Sequence, residues 1–177
     1  MFHTTLGKRL GLALLAVAAI SVLAGAANRP IQIALVNPVQ IFPEKDSITG
    51  IRLNLIYGKN ASLAGVDLGL VNHLTGSSIG FQYGLVGLAD GDFSGWQDNF
   101  VNITKGKFQG LQSAFVNSAA DGVGLQWGFV NHAKAFNGLM LGFINYAETL
   151  KGIQIGLINI IRQGGFLPVF PIVNWSF

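Results

Sequence analysis

Gly124-Leu125-Gln126-Trp127-Gly128-Phe129-Val130-Asn131 contains, in eight residues, the pattern that organises the whole chain: Gly-h-Gln-h-Gly-h-h-Asn, with h apolar. Its final position recurs at Asn72, Gly87, Asn102, Asn117, Asn131, Asn145, Asn159 and Asn174, at spacings of 15, 15, 15, 14, 14, 14 and 15. Two degraded copies end at Tyr57 and Asn37, and the spacing of 20 between them absorbs Pro38 to Gly50. Ten units follow from this count. A repeat of fixed length dictates the architecture before any local propensity does.

Inside each unit the apolar period is two. Leu125, Trp127, Phe129, Asn131 and Ala133 share one parity, while Gly124, Gln126, Gly128, Val130 and His132 share the other. Alternation of this kind belongs to a β-strand with one bulky apolar face and one small polar face. Turn signals such as Asp90-Gly91-Asp92, Lys105-Gly106-Lys107 and Asp121-Gly122 separate the units, with glycine available for the positive φ of tight turns. The Gly-x-x-x-Gly spacing at Gly124/Gly128 or Gly138/Gly142 would also suit packed transmembrane helices. Gly and Asn every few residues oppose a helix, and we assign that spacing to the strand repeat.

Composition narrows the class. Of 177 residues, 50% are hydrophobic and only 11% charged, with 24 glycines, no cysteine and a mean hydropathy of +0.48. A soluble domain carries about a quarter charged residues, so this chain either faces something other than water or stacks on itself. The formal charge is +3, and leaving out Lys8 and Arg9 gives nine basic against eight acidic residues, or +1. That balance offers no polybasic surface, and no nucleic-acid partner is expected. Without cysteine there is no disulfide framework, thiolate metal site, cysteine nucleophile or lipidated N-terminal cysteine.

Lys8 and Arg9 precede an apolar run over Leu10 to Gly25, and Leu23-Ala24-Gly25-Ala26-Ala27 supplies small residues for cleavage. Residues 1–27 thus read as a signal peptide and 28–177 as a single repeat-built β domain, which implies export. Ten strands of about ten residues, apolar on one face and exported, match an outer-membrane β-barrel. The alternation Val169, Pro171, Val173, Trp175, Phe177 resembles the C-terminal assembly signal of such barrels, with Trp175 and Phe177 as its key residues. The expected fold is therefore an all-β, ten-stranded antiparallel meander closed as a barrel. Its possible lumen-lining residues are Arg52, Asp67, Gln82, Gln97, Gln112, Gln126 and Gln154, with Gln32 beside them. The expected partners are outer-membrane lipid and the barrel assembly machinery, with a possible homo-oligomer, and the expected role is structural or that of a narrow passive pore.

One feature opposes the barrel. The repeated Asn shares parity with the apolar face and would point at lipid. A β-solenoid of 14- to 15-residue repeats, the alternative fold, would stack equivalent residues and use an Asn ladder to satisfy turn carbonyls. Fifteen residues is a short coil with little left for a return strand, and on that ground the barrel is preferred. The alternative function is a surface-displayed solenoid or amyloid-like scaffold or adhesin.

The units "GLQWGFVNHA", "GLMLGFINYA" and "GIQIGLINII" resemble those of the surface-repeat-containing proteins described from leptospires and other bacteria. The resemblance implies cell-surface or outer-membrane residence and nothing about activity. Gln126-x-Gly128-x-x-Asn131-x-Ala133 is also similar to part of the curlin repeat, although neighbouring units depart from it at Ala114, Met140 or Ile161.

Candidate sites are few. His73 and His132 follow the Asn of their units, but a metal site needs three or more converging ligands, and repeat symmetry accounts for the match. Asp90, Asp92, Asp98 and Asp121 lack the alternating spacing of a calcium loop and read as turn residues. No serine sits in a nucleophile elbow and no carboxylate pair recurs with a partner, so neither catalysis nor a cofactor is expected. Trp96, Trp127, Trp175, Tyr57, Tyr83 and Tyr146 could form interfacial aromatic girdles.

Overall fold

The computed structural model describes residues 29–177, which form one sheet wound into a β-solenoid. The signal peptide expected over residues 1–27 lies outside the described residues. Strands run in the order β1 (Ile31–Val36), β2 (Val39–Gln40), β3 (Ser47–Asn60), β4 (Ser62–Leu74), β5 (Ser78–Ala89), β6 (Phe93–Gln163) and β7 (Val169–Ser176). β6 alone is 71 residues of unbroken strand because the chain keeps its pairing while turning through coil after coil.

Pairing separates solenoid from barrel. β3 pairs with β4, β4 with β5 and β5 with β6, all parallel and in register, so that Gly50 faces Gly65, Gly65 faces Gly80 and Gly80 faces Gly95. A barrel meander pairs each strand antiparallel with its sequence neighbour. The expected ten-stranded antiparallel barrel is therefore corrected to a stack of parallel coils, one repeat unit per coil. Most coils are alike because each lies directly on the previous one.

The coil closes through a bend at the doubled apolar pair of the motif. Phe115 and Val116 both face outward in succession, which reverses the inside–outside alternation. Gln112 before the bend and Asn117 after it then both point inward, each fully buried. This reversal removes the difficulty posed by Asn: Asn72, Asn102, Asn117, Asn131, Asn145 and Asn159 have 0% exposure and line the interior, not an outer face. It also supplies the return that so short a coil was expected to lack, since both halves of one continuous strand face each other.

At the turn end of the coils the interior is mostly apolar, with Ser78 and Thr104 as polar interruptions. Ile48, Leu63, Phe93 and Phe108 stack in one column beside Leu74, Ala89 and Ala119 in another. A second cluster follows around Ala133, Phe136, Met140, Ala147, Leu150 and Ile161. Gly122 stands in the Phe column between the two clusters, and the Phe136 ring leans into the space its side chain would take.

The ends depart from the repeat. Near the N-terminus the long spacing forms a cap: β2 pairs antiparallel with β1, and the following loop lays Phe42 over the apolar column. Gln32 exchanges two hydrogen bonds with the Phe42 backbone at 2.9 Å, and the Arg29 guanidinium lies 4.9 Å from the Phe42 ring centre. Arg29 also pairs with Asp46. At the other end the unit expected to finish at Asn174 is not a further coil. β7 runs antiparallel along the last coil, placing Asn174 opposite Gln154. The degraded unit expected to finish at Tyr57 is likewise shifted by one, since a bulge brings Gly58 opposite Asn72.

Candidate functional site

Each residue expected to line a lumen points into the interior, where the polar groups bond to one another and leave no water-filled channel. Gln97 donates from Nε2 to Gln82 Oε1 (3.0 Å), Gln112 to Gln97 (2.8 Å) and Gln126 to Gln112 (2.8 Å). The passive pore expected from these residues is corrected accordingly: a stack of coils one amide deep has no room for a conduit. Met140 interrupts the ladder. Gln154 Nε2 meets its Sδ at 3.4 Å, and the Oε1 atoms of Gln126 and Gln154 have no partner.

Asn forms a second ladder of opposite polarity. Asn117 Nδ2 donates forward to Asn131 Oδ1 (2.9 Å), Asn131 to Asn145 (2.8 Å) and Asn145 to Asn159 (2.8 Å). The Gln ladder donates toward the preceding coil and the Asn ladder toward the following one, so their aligned amide dipoles oppose each other. The Nδ2 groups of Asn117, Asn131 and Asn145 also donate to a backbone carbonyl of the next coil, as in Asn117 to Trp127 O (3.0 Å) and Asn131 to Leu141 O (2.8 Å), whereas Asn159 bonds Gly156 O in its own coil (2.8 Å). Buried amides carry a penalty unless bonded, and these ladders bond nearly all of them.

Arg52 and Asp67 occupy successive rungs of the Gln column as a fully buried ion pair. Arg52 Nε reaches Asp67 Oδ1 at 2.8 Å and Nη2 reaches Oδ2 at 2.6 Å, a two-pronged geometry. Gln82 Nε2 and Asn54 Nδ2 donate to the same carboxylate at 3.0 and 2.9 Å, which joins the pair to both ladders.

Two gaps in the Asn column are filled from a neighbouring one. Gly58 and Gly87 stand where Asn is usual, and their side-chain space is taken by Asn54 and by Asn99 with Gln82. Asn54 Nδ2 then donates to Asn72 Oδ1 (2.7 Å), and Asn99 Nδ2 to Asn102 Oδ1 (2.6 Å). Sequence reading missed this exchange, although Asn at positions 54 and 99, where other units carry Gly or Ala, was its visible signal.

With the amides inside, large apolar side chains face out. Along one sheet face Leu70, Leu85, Phe100, Phe115, Phe129 and Phe143 form a single column, 43% to 58% exposed. The four phenylalanines stack nearly parallel, with centroids 5.2, 4.9 and 4.8 Å apart, the spacing of the strands beneath them. Beside them lie Trp96, Tyr83 and Trp127, the last 62% exposed in the middle of the face, so no aromatic girdle forms at its margins.

The opposite face carries a polar strip. Tyr57 Oη lies 2.8 Å from His73 Nδ1, His73 Nε2 lies 2.8 Å from Asp90 Oδ2, and Lys105 Nζ lies 2.7 Å from Asp90 Oδ1. The Lys105 ammonium and then His73 hold the Asp90 carboxyl below its ordinary pKa. His132 bonds Ser118 and stacks on Tyr146, several coils away from His73. No three His, Cys, Asp or Glu side chains gather as metal ligands among the described residues. At the turn corner a groove of about 500 Å³ runs beside Gly122, bordered by Phe108, Val123, Phe136 and Leu150, with Lys107 and Lys151 at its rim.

Trp175 lies in β7 opposite Ile153 and stacks on Phe166 at 4.5 Å, while Phe177 is 88% exposed. No helix among the described residues is long and apolar enough to cross a membrane. No family model, curated protein or solved structure matches the chain.

Proposed function

We propose that this chain is an exported, non-catalytic structural protein, a β-solenoid of finite length that presents an apolar sheet face at the cell surface as a scaffold for association. The observation that carries this reading is the inversion of the usual arrangement: amides satisfy each other inside, and ordered columns of Leu, Phe and Trp remain outside. A monomeric soluble protein exposes contiguous apolar patches of only a few hundred Å², so a face of this extent has an interaction role. The interior polar residues, Gln, Asn, Arg52 and Asp67, are committed to holding coils together.

Export rests on the charged, apolar and small-residue succession before Asn28, and surface residence on the likeness of the repeat units to surface-repeat-containing proteins. The reading retains outer-membrane or cell-surface residence and gives up the spanning barrel, and with it the role foreseen for barrel assembly machinery. Between a capped scaffold and an open-ended amyloid-like fibre, the antiparallel strands at both ends favour the scaffold.

The full chain expressed in a Gram-negative host tests this reading. The expected result is loss of about 26 or 27 residues from the N-terminus by mass, in keeping with a signal cleavage site, together with digestion by protease added to intact cells. Unprocessed protein confined to the cytoplasm overturns it. A band whose gel mobility changes on boiling in detergent returns the barrel.

A further inference from the structure

We infer that the apolar sheet face is a self-association surface on which a second copy of this chain docks face to face. This deepens the scaffold reading and rests on it for its biological purpose. Side chains such as Leu55, Leu85, Phe100 and Trp127 are 54% to 62% exposed. About a dozen large apolar residues, each leaving roughly half of ~200 Å² in water, present on the order of 1,000 Å². A stable interface needs about 800 Å² from each partner, so one such face suffices.

Three observations select a second copy. Among the described residues, growth by adding coils is opposed at both ends: β7 runs antiparallel along the last coil and carries Pro171, and the two-residue β2 pairs antiparallel with Ala34 and Val36 at the end of β1. Among the described surfaces, the lateral face is the broadest apolar one left. Next, a lipid surface fits poorly, because the turn corners bordering the stack mix Asp90, Asp92, Asp121 and Glu148 with Lys105, Lys107, Lys134 and Lys151. Membrane-docking faces are bordered by basic residues, and their Trp lies at the margin, whereas Trp127 is central here.

The third observation is the position of the one charge on the central column. Asp98 lies there between Tyr83 and Ser113, with no ion-pair partner among the described residues. Lipid would bury that carboxylate unpaired, at a large cost. A twofold axis passing between the coils of Asp98 and Ser113 instead sets each Asp98 opposite Ser113 of the second copy, whose hydroxyl donates to it. The same operation brings Phe115 over Phe100 of the second copy, aromatic against aromatic. A two-fold interface is satisfied twice by one such match.

Sedimentation of the protein in the form the cell produces, in detergent-free buffer at micromolar concentration, should give a dimer. Phe115→Asp and Phe129→Asp, each outward and free of the interior ladders, should raise the dimer Kd by about 100-fold or more with the strand circular dichroism unchanged. Ser113→Asp, which sets carboxylate against carboxylate, should weaken the dimer about tenfold more than Ser113→Lys. A monomer at all concentrations overturns the proposal, as does flotation of monomer with phosphatidylcholine–phosphatidylglycerol vesicles, which would assign the face to lipid. Equal effects of the two Ser113 substitutions overturn the register. Dimerisation is read in solution and export in cells, so either reading can fail without the other.

Discussion

Asn99 and Gly87 show how tightly single residues are coupled across this interior. Asn99 sits one coil beyond Gly87 and fills the place of the missing side chain, so neither position is free to change alone. Gly87→Asn should collide with Asn99 and the Gln82 side-chain Oε1, and Asn99→Gly should leave Asn102 without its 2.6 Å donor and open a void. Each single substitution is expected to cost about 1–3 kcal/mol, the penalty of an unsatisfied buried polar group. The double variant, which restores a continuous Asn column, should recover most of that loss in chemical denaturation. Arg52 and Asp67 obey the same logic with larger numbers. Arg52→Gln or Asp67→Gln alone strands a buried charge and should cost about 3–5 kcal/mol, whereas the double variant extends the Gln ladder and should lie near wild type. A double variant as unstable as the singles would mean that the ion pair is irreplaceable at that depth.

The glycine preceding the first apolar residue of each strand segment has the strictest role in the element. Gly110 has φ of 132°, and a Cβ there would run into the Gly95 carbonyl oxygen, so close stacking of coils depends on it. Along the outer strip the coupling between coils is electrostatic. Lys105 first and His73 second depress the Asp90 pKa. A carboxyl whose folded pKa is depressed contributes stability that is present above its unfolded value and is lost as pH falls through the folded one. Wild type should therefore exceed Asp90→Asn in stability near neutral pH, and the two should converge below the usual carboxylate range. Thermal melts at stepped pH check this, and a difference that persists into strong acid would attribute Asp90's effect to packing alone.

For the whole molecule, the caps decide whether the stack is finite. Parallel, in-register coils present at their ends the kind of unpaired backbone edge on which another chain can grow. β7 covers that edge with an antiparallel strand, holds Asn174 Nδ2 on the Leu167 carbonyl at 2.8 Å and packs Trp175 on Phe166. Removing residues 165–177 should expose the edge and shift the protein toward fibres with a reflection near 4.7 Å, the spacing between strands. If the truncated chain stayed small by light scattering, the last coil would be self-limiting without its cap.

Much of this was legible in the residues alone. Period-two alternation, 14- to 15-residue units and identical Gln and Asn positions determined that the chain is built from equivalent strands with one polar and one apolar face. The same features placed Arg52, Asp67 and the glutamines together on the small, polar side. The tertiary structure decided which strand each strand bonds, because a meander and a solenoid share period, turn signals and strand length, and differ only in non-local pairing. It also decided the direction of Asn. Strict alternation sends Asn117 outward, but two successive outward residues, Phe115 and Val116, bend the strand and turn it in. Sequence period predicts a side chain's direction only while the strand is straight. At that bend the requirement to bond buried carbonyls prevailed over parity, placing the amides inside and leaving the apolar face outward.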